Sequence, residues 1–311
     1  MMLRNDMDRL PWPMGEEIHR IVAMVFETFA DATKGKLSDQ HRQGRIIKLI
    51  LHGPHAQTNR RDLPPGEAIH LLAIVNHPRL VRRQQHWHLV RDRLHRAWEF
   101  GEIAQPVRLT VHSLEQVNHA LAEGVPHFLT IATEGIALYE FDRTPLKMPR
   151  HLPAVDRHVR GLAEYVRWHG RATDFLLGAA FFQDQGNAPM AALLLHQACE
   201  HLYQCVIWSL TLHGPRTHAL DELREIAEAL DRRLYSAWPR DTPFERRAFG
   251  CIRRAYVEVR YGRHYKLSAE ELTWAMERAV LLQRLVQDVC CDCPDAIAAA
   301  DDLEACHVAR A

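Results

Sequence analysis

The segment Ile46-Ile47-Lys48-Leu49-Ile50-Leu51-His52-Gly53-Pro54 decides how the first half of the chain folds. It is a mostly apolar run that stops at a Gly-Pro pair. A second apolar run, Ile69–Val75, follows after a polar stretch. Short apolar runs bounded by turn residues are typical of buried β-strands. We therefore predict two strands, at 46–52 and 69–75.

The residues on either side of these strands predict a mixed α/β domain with a small sheet. Alternation and helical spacing of apolar residues indicate further strands at 107–112 and 136–141, and helices at 16–32, 79–100, behind Ser113 and near 126–133. His86, His88 and His95 fall in the helix at 79–100, and we expect them on its surface.

The second half of the chain predicts helices only. Prolines at 145, 149 and 153 mark a linker. Helix signals follow at 156–184, from Asn187 to Gly214, after Thr217, at 244–261 and from Ser268, which is typical of an up-and-down bundle. The predicted division is therefore a domain at 1–144, a linker at 145–155, a helical bundle at 156–293 and a flexible tail at 294–311.

Composition and charge exclude several functional classes. The chain has 311 residues, enough for two domains, and its 39 basic residues balance its 39 acidic ones. This balance gives no overall electrostatic argument for nucleic acid or for a membrane, and no DNA specificity is evident. Because no apolar run is long enough for a membrane span or a signal peptide, we expect a cytoplasmic location and no membrane partner.

The cysteines predict a reduced chain without a metal. Three of the seven, Cys199, Cys205 and Cys251, lie in apolar helical patterns and are expected to be buried thiols. Zinc requires four converging ligands. The C-terminal group offers a single Cys-x-x-Cys pair and an adjacent Cys-His pair, which is poor ligand spacing; its members are Cys290, Cys291, Cys293, Cys306 and His307.

The layout of residues 46–75 resembles the minimal nucleotidyltransferase domain. In that family a strand runs into a Gly-Ser turn, and the next strand opens with Asp-x-Asp. Here Gly53 keeps the glycine, but Pro54 stands in the place of the serine, and Ala68 and His70 stand in the places of the two metal-binding aspartates. The strand at 107–112 has no carboxylate either. Because Mg²⁺ needs carboxylate ligands, we predict a degenerate transferase site with no metal and no cofactor.

Three motifs in the helical half resemble the HEPN domain. They are Leu195-His196-Gln197-Ala198-Cys199-Glu200, Thr217-His218-Ala219-Leu220 and the run Ala255–Tyr265, which reads AYVEVRYGRHY. The resemblance implies an all-α bundle that forms a homodimer through the helical domain. It also implies RNA or nucleotide as the ligand. The combined fold class is α+β, with a nucleotidyltransferase-like α/β domain followed by an all-α HEPN bundle.

The resemblance also implies candidate site residues. Active HEPN ribonucleases use an arginine and a histidine separated by four to six residues, whereas Arg260 and His264 are separated by three. In such enzymes histidine moves protons and arginine stabilises the phosphorane, without a metal. Tyr261 and Tyr265 are candidates for a modification site or a pocket. The short spacing favours binding without turnover.

Three interpretations of this motif remain open: ribonuclease chemistry at Arg260 and His264, a nucleotide- or RNA-binding pocket, or a structural role alone. We expect Gln197 and Glu200 to be polar groups between helices and His218 to lie in the first turn of a helix. The preferred hypothesis is a nucleotide- or RNA-binding protein in a toxin–antitoxin or defence-like setting. The alternative is a metal-independent ribonuclease that acts as a homodimer.

Overall fold

The structure, a computed structural model, describes residue 3 and residues 12–34, 44–57, 66–82, 84–141, 144–215, 217–262 and 265–292. The chain divides into two compact units, Met1–His151 and Leu152–Ala311. The first unit is mixed α/β, and the described part of the second is helical. In the described ranges, no helix is both long enough and apolar enough to cross a membrane.

The first unit contains the four predicted strands. Its elements are α1 (Trp12–Thr33), β1 (Ile46–His52), β2 (Ile69–Val75), α2 (Pro78–Arg82), α3 (Gln84–Glu99), β3 (Val107–Ser113), α4 (Leu114–Ala122), α5 (Pro126–Glu134) and β4 (Ile136–Glu140). The predicted helix at 79–100 corresponds to α2 and α3, on either side of residue 83, which lies outside the described residues.

The four strands form one mixed sheet in the order β3-β2-β1-β4. Strand β1 runs antiparallel to β2 and β4, and β2 runs parallel to β3. A parallel pair needs a long crossover, and α2 and α3 lie in that connection. Strand β1 is buried at every position, because helices cover both faces of the sheet. On one face α1 and α3 pack in one apolar cluster, and on the other α4 and α5 pack in a second.

The histidines of α3 do not all lie on its surface. His88 and His95 are exposed, but His86 is buried, so the prediction is wrong for this residue. His86 lies one turn before Val90, which is fully buried in the cluster that α3 shares with α1. Residues four apart lie on the same side of a helix, which explains the burial.

The second unit contains five helices: α6 (Ala154–Asp184), α7 (Ala188–Thr211), α8 (Leu220–Leu230), α9 (Pro243–Tyr261) and α10 (Ala269–Cys291). Their ends follow local chemistry. Gly186 adopts a φ of 70° after α6, and the side chain of Asn187 accepts a hydrogen bond from the Met190 N–H at the start of α7. Ser268 forms a capping box with Glu271 and begins α10 as predicted.

Helix α7 is the centre of this unit. It packs against α6, α8, α9 and α10, and most of its length is buried. The three thiols predicted to be buried, Cys199, Cys205 and Cys251, are buried. Cys290 is half-buried and Cys291 is exposed, while Cys293, Cys306, His307 and the predicted tail lie outside the described residues. Among the residues described, no group of three or more His, Cys, Asp or Glu side chains is arranged to hold a metal ion.

A buried carboxylate ties α8 to the segment that follows it. Glu228 is 1% exposed and accepts hydrogen bonds from Arg224 Nε at 2.6 Å and from Arg240 at 2.5 Å. Arg224, also buried, donates a second bond to the Trp238 carbonyl. The arrangement places two positive charges around one negative charge, so the removal of the carboxylate leaves the buried guanidinium of Arg224 uncompensated.

We therefore expect Glu228→Ala to destabilise the helical unit by about 3–5 kcal/mol. Urea unfolding followed by circular dichroism measures the change. Glu277→Ala removes an exposed carboxylate from α10 and is the matched control, with an expected change of less than about 0.5 kcal/mol. Equal stability of the two variants would contradict a structural role for the Glu228 network.

Candidate functional site

The residues at the nucleotidyltransferase-like positions gather at one end of the β1–β2 pair. His52 lies opposite His70 in the strand register. Gly53 has a φ of 72°, and a Cβ atom there would lie 3.5 Å from Cγ of His70. Pro54 opens a short 3₁₀ turn that ends at Ala56, and Ala68 directly precedes β2. The residues of the nucleotidyltransferase-like motif therefore lie together at one place in the structure.

Three imidazole rings lie close together at this end of the sheet. The ring centroids of His52 and His70 are 5.7 Å apart, and those of His52 and His127 are 5.8 Å apart. Burial, with a contribution from His70, lowers the pKa of His52 to about 3. Burial, with contributions from Arg108 and His55, lowers the pKa of His70 to about 4. Both rings are neutral at pH 7 and cannot replace the negative charge that Mg²⁺ binding needs.

A second group of polar residues surrounds a buried carboxylate on α7. Glu200 is 5% exposed. Its Oε1 atom accepts a hydrogen bond from Nδ1 of His218 at 2.8 Å, and its Oε2 atom accepts one from Gln197 at 3.1 Å. Nε2 of His196 lies 3.8 Å from Oε2. Two donors, His218 and Gln197, thus satisfy the two oxygens of this buried carboxyl group.

The ring of Tyr256 on α9 joins the two histidines to one aromatic group. It stacks on His196 at a centroid distance of 5.2 Å and on His218 at 5.6 Å. His196 is fixed further because its Nδ1 donates to the Ile252 carbonyl at 3.1 Å. Burial lowers the pKa of His196 below its ordinary value, so this ring is uncharged near neutral pH. The His218 side chain, in contrast to the buried His196, is 68% exposed.

Arg260 completes the group at the end of α9. Its guanidinium carbon lies 4.8 Å from the ring centroid of Tyr256 and 5.0 Å from that of Tyr261. Arg260 is exposed, and Tyr261 is 74% exposed. A guanidinium stacked by its face keeps its in-plane N–H groups for an acceptor. We call His218, Tyr256, Arg260 and Tyr261 the α9-end site.

The loop that carries His218 is fastened to α7 at several points. Leu212 ends α7 with a φ of 52°, and Gly214 packs on Trp208, where a Cβ atom would meet the indole nitrogen. The same indole donates to Gln204 Oε1 at 3.0 Å, and Gln204 donates to the Pro215 carbonyl at 3.5 Å. These contacts bring the loop back along α7 to Glu200.

The structure describes only part of the predicted arginine–histidine motif. Helix α9 ends at Tyr261, as the glycine at 262 predicts, and His264 lies outside the described residues. The hydroxyl of Tyr265 donates to the Cys251 carbonyl at 3.0 Å, and burial raises the pKa of this tyrosine well above its usual value. For Tyr265 to be modified at its hydroxyl oxygen, this hydrogen bond must break and the hydroxyl must lose a proton that it holds tightly.

Residues from the three HEPN-like motifs lie together in the structure, which the motifs alone do not predict. The prediction that His218 lies in the first turn of a helix is wrong, because α8 begins at Leu220 and Ala219 is its cap. His218 precedes this cap and bonds to Glu200. One signal for the contact is present in α7, where the polar residues His196 and Glu200 lie one turn apart and are both buried.

Comparison with known proteins agrees with the helical part of this picture. A family model of the HEPN domain matches residues 165–289. This segment is a HEPN domain. It contains α7, α8 and α9, and so all four residues of the α9-end site. No curated protein matches the chain at a significant level.

The neutral histidines at the sheet end predict acid sensitivity of the first unit. The folded pKa values of His52 and His70 lie below the unfolded value of about 6.5, so the unfolded chain binds protons first as the pH falls. The contribution of these groups is therefore complete above pH 6.5 and is lost as the pH falls toward 4. We expect each ring to cost about 2 kcal/mol at pH 5 relative to pH 7.5.

Hydrogen exchange of the full chain at pH 5.0 and 7.5, corrected for the intrinsic rate, measures this loss in peptides from β1 and β2. His70→Gln removes one titrating ring and should reduce the pH dependence by about half. His88→Gln, at an exposed position on α3, should leave it unchanged. Equal protection of β1 and β2 at the two pH values would refute the assignment.

Proposed function

We propose that the HEPN domain binds RNA at the α9-end site. The HEPN match itself indicates an RNA-binding or ribonuclease-type function. The observation that carries the finer proposal is a continuous group of exposed side chains: Arg260 and His218 both contact the ring of Tyr256, and Tyr261 contacts Arg260. Cationic groups contact phosphates, and aromatic rings stack on bases, in the usual recognition of single-stranded RNA.

The surface chemistry supports RNA more than a protein ligand. Within the described part of the chain, the Arg260 side chain makes no hydrogen bond or ion pair, and its only contacts of note are the faces of two tyrosines. Its N–H groups therefore remain available for a phosphate oxygen. Tyr261 presents most of its ring to solvent, and base stacking on such a ring contributes about 1–3 kcal/mol.

We infer that the first unit is a degenerate nucleotidyltransferase-like domain. Support comes from the mixed sheet, from the glycine turn after β1 and from the position of His70 beside it. Transfer chemistry needs carboxylates, and Ala68 and His70 provide none. In this proposal the unit has lost transfer activity, and the HEPN domain carries the function of the chain.

The proposal includes a homodimer through the helical domain and a toxin–antitoxin or defence-like setting. The family resemblance implies both. The dimer has a further support in Val257, an apolar side chain on α9 that is 58% exposed and that a second copy would cover. The second candidate function is metal-independent RNA cleavage, favoured by the histidine that Glu200 holds beside Tyr256.

RNA binding is tested by fluorescence anisotropy with a labelled single-stranded RNA of mixed sequence. Arg260→Ala should weaken binding about 10- to 100-fold, because a charged hydrogen bond to phosphate contributes about 1.5–3 kcal/mol. Tyr261→Ala should weaken it through the loss of stacking. The matched control is Arg284→Ala, an exposed arginine near the middle of α10. Affinity that falls equally in all three variants, or no affinity in the wild type, would contradict the proposal.

Calorimetry with ATP tests the degenerate transferase domain. We expect no heat of tight binding from ATP with Mg²⁺ and no dependence on Mg²⁺, because the sheet end has no carboxylate pair for the metal. The double variant Ala68→Asp with His70→Asp restores the acids of the family pattern and serves as the comparison. Tight binding of ATP by the wild type only when Mg²⁺ is present would refute this part of the proposal.

A further inference from the structure

The geometry points to a proton-transfer pair in the α9-end site: His218 is the base, and Glu200 is the residue that positions it, for cleavage of bound RNA. This inference rests on the proposed RNA binding and adds a reaction to it. It differs from the pairing of Arg260 with His264 that the sequence motif implies, because the histidine comes from the loop before α8.

The hydrogen bond to Glu200 fixes which nitrogen of His218 can act. Nδ1 donates to Oε1 of Glu200 at 2.8 Å. In the neutral imidazole the other nitrogen, Nε2, is then the proton acceptor. The side chain of Glu200 is 7% exposed, whereas that of His218 is 68% exposed. A buried carboxylate thus holds an exposed imidazole by one nitrogen and leaves the other to accept a proton.

The carboxylate is itself held in place. Gln197 donates to Oε2 of Glu200 at 3.1 Å, and Tyr256 stacks on the His218 ring with an interplanar angle of 13°. The orientation of His218 is therefore fixed both at its nitrogen and at its ring face. These two contacts restrict the side chain of His218 more than its position in a short loop would.

Arg260 supplies the second element of the reaction. Its guanidinium and the His218 ring both contact the ring of Tyr256, and in this proposal Arg260 holds the phosphate that is cleaved. Negative charge develops on the phosphorane oxygens during cleavage, and a guanidinium stabilises that charge.

The reaction is an internal transfer that needs only RNA and water. Nε2 of His218 takes the proton of a ribose 2′-hydroxyl, and O2′ forms a bond to the adjacent phosphorus. The bond from phosphorus to O5′ breaks, and O5′ takes a proton from solvent. The products are a 2′,3′-cyclic phosphate and a 5′-hydroxyl end, and His218 then returns its proton to solvent.

The test uses the full chain, a mixed-sequence single-stranded RNA and EDTA, which excludes metal-dependent nucleases. Affinity is measured separately, with a 2′-O-methyl copy of the RNA that has no free 2′-hydroxyl. We expect the wild type to cleave and to leave 2′,3′-cyclic phosphate ends. His218→Ala should lower the cleavage rate at saturating RNA roughly a hundredfold or more. A loss of affinity for the 2′-O-methyl RNA is also expected, because His218 belongs to the α9-end site, but it does not affect a rate measured at saturation. Added imidazole should restore part of the lost rate.

The role of Glu200 requires its own readout. Glu200→Gln keeps the shape of the side chain and should lower kcat while leaving KM and the melting temperature close to wild type, because the base is held less well but RNA is still bound. His88→Ala, an exposed histidine on α3, is the control and should cleave at the wild-type rate.

The outcomes separate this inference from the proposed function. Absence of binding to the 2′-O-methyl RNA overturns the RNA-binding proposal and the inference with it. Tight binding without cleavage by the wild type overturns the inference alone. Undiminished cleavage by His218→Ala, with loss of cleavage in His264→Ala, also overturns the inference and assigns the reaction to the motif histidine.

Discussion

The burial of one carboxylate on the central helix determines how the helical unit presents its polar residues. Glu200 lies on α7, which packs against four other helices. A charge in such a place is strongly unfavourable unless donors surround it. One donor comes from the same helix, and another comes from the loop that leads to α8. Because Glu200 needs a donor from outside its own helix, His218 is held near the end of α9. The α9-end site is a consequence of this need.

The two sites hold their buried polar groups in different ways. At the sheet end of the first unit, the rings of His52 and His70 avoid the cost of burial by remaining neutral. In the helical unit, the carboxyl groups of Glu200 and Glu228 are held by hydrogen bonds from histidine or arginine partners. A site held by several hydrogen bonds keeps fixed positions for a ligand, and this is the physical reason to look for function in the helical unit.

Local patterns predicted the elements well, because strands and helix starts are set by nearby residues. The apolar runs at 46–52 and 69–75 became β1 and β2, and the caps at Asn187 and Ser268 began α7 and α10. The contact between Glu200 and His218 joins residues 18 positions apart, and no local rule predicts such a pair. The burial of His86 depended in the same way on the face that α3 packs against α1.

The loop between α7 and α8 has little freedom in length. The backbone at Gly214 packs on Trp208, where no side chain fits. His218 must then reach a carboxylate that lies about two turns before Trp208 on the same helix. An insertion or deletion after Gly214 separates the imidazole from Glu200 even when every residue type is kept. These contacts thus fix the numbers of residues that separate Glu200, Trp208, Gly214 and His218. Chains built on the same plan are recognisable by that spacing, even where the surrounding sequence has diverged.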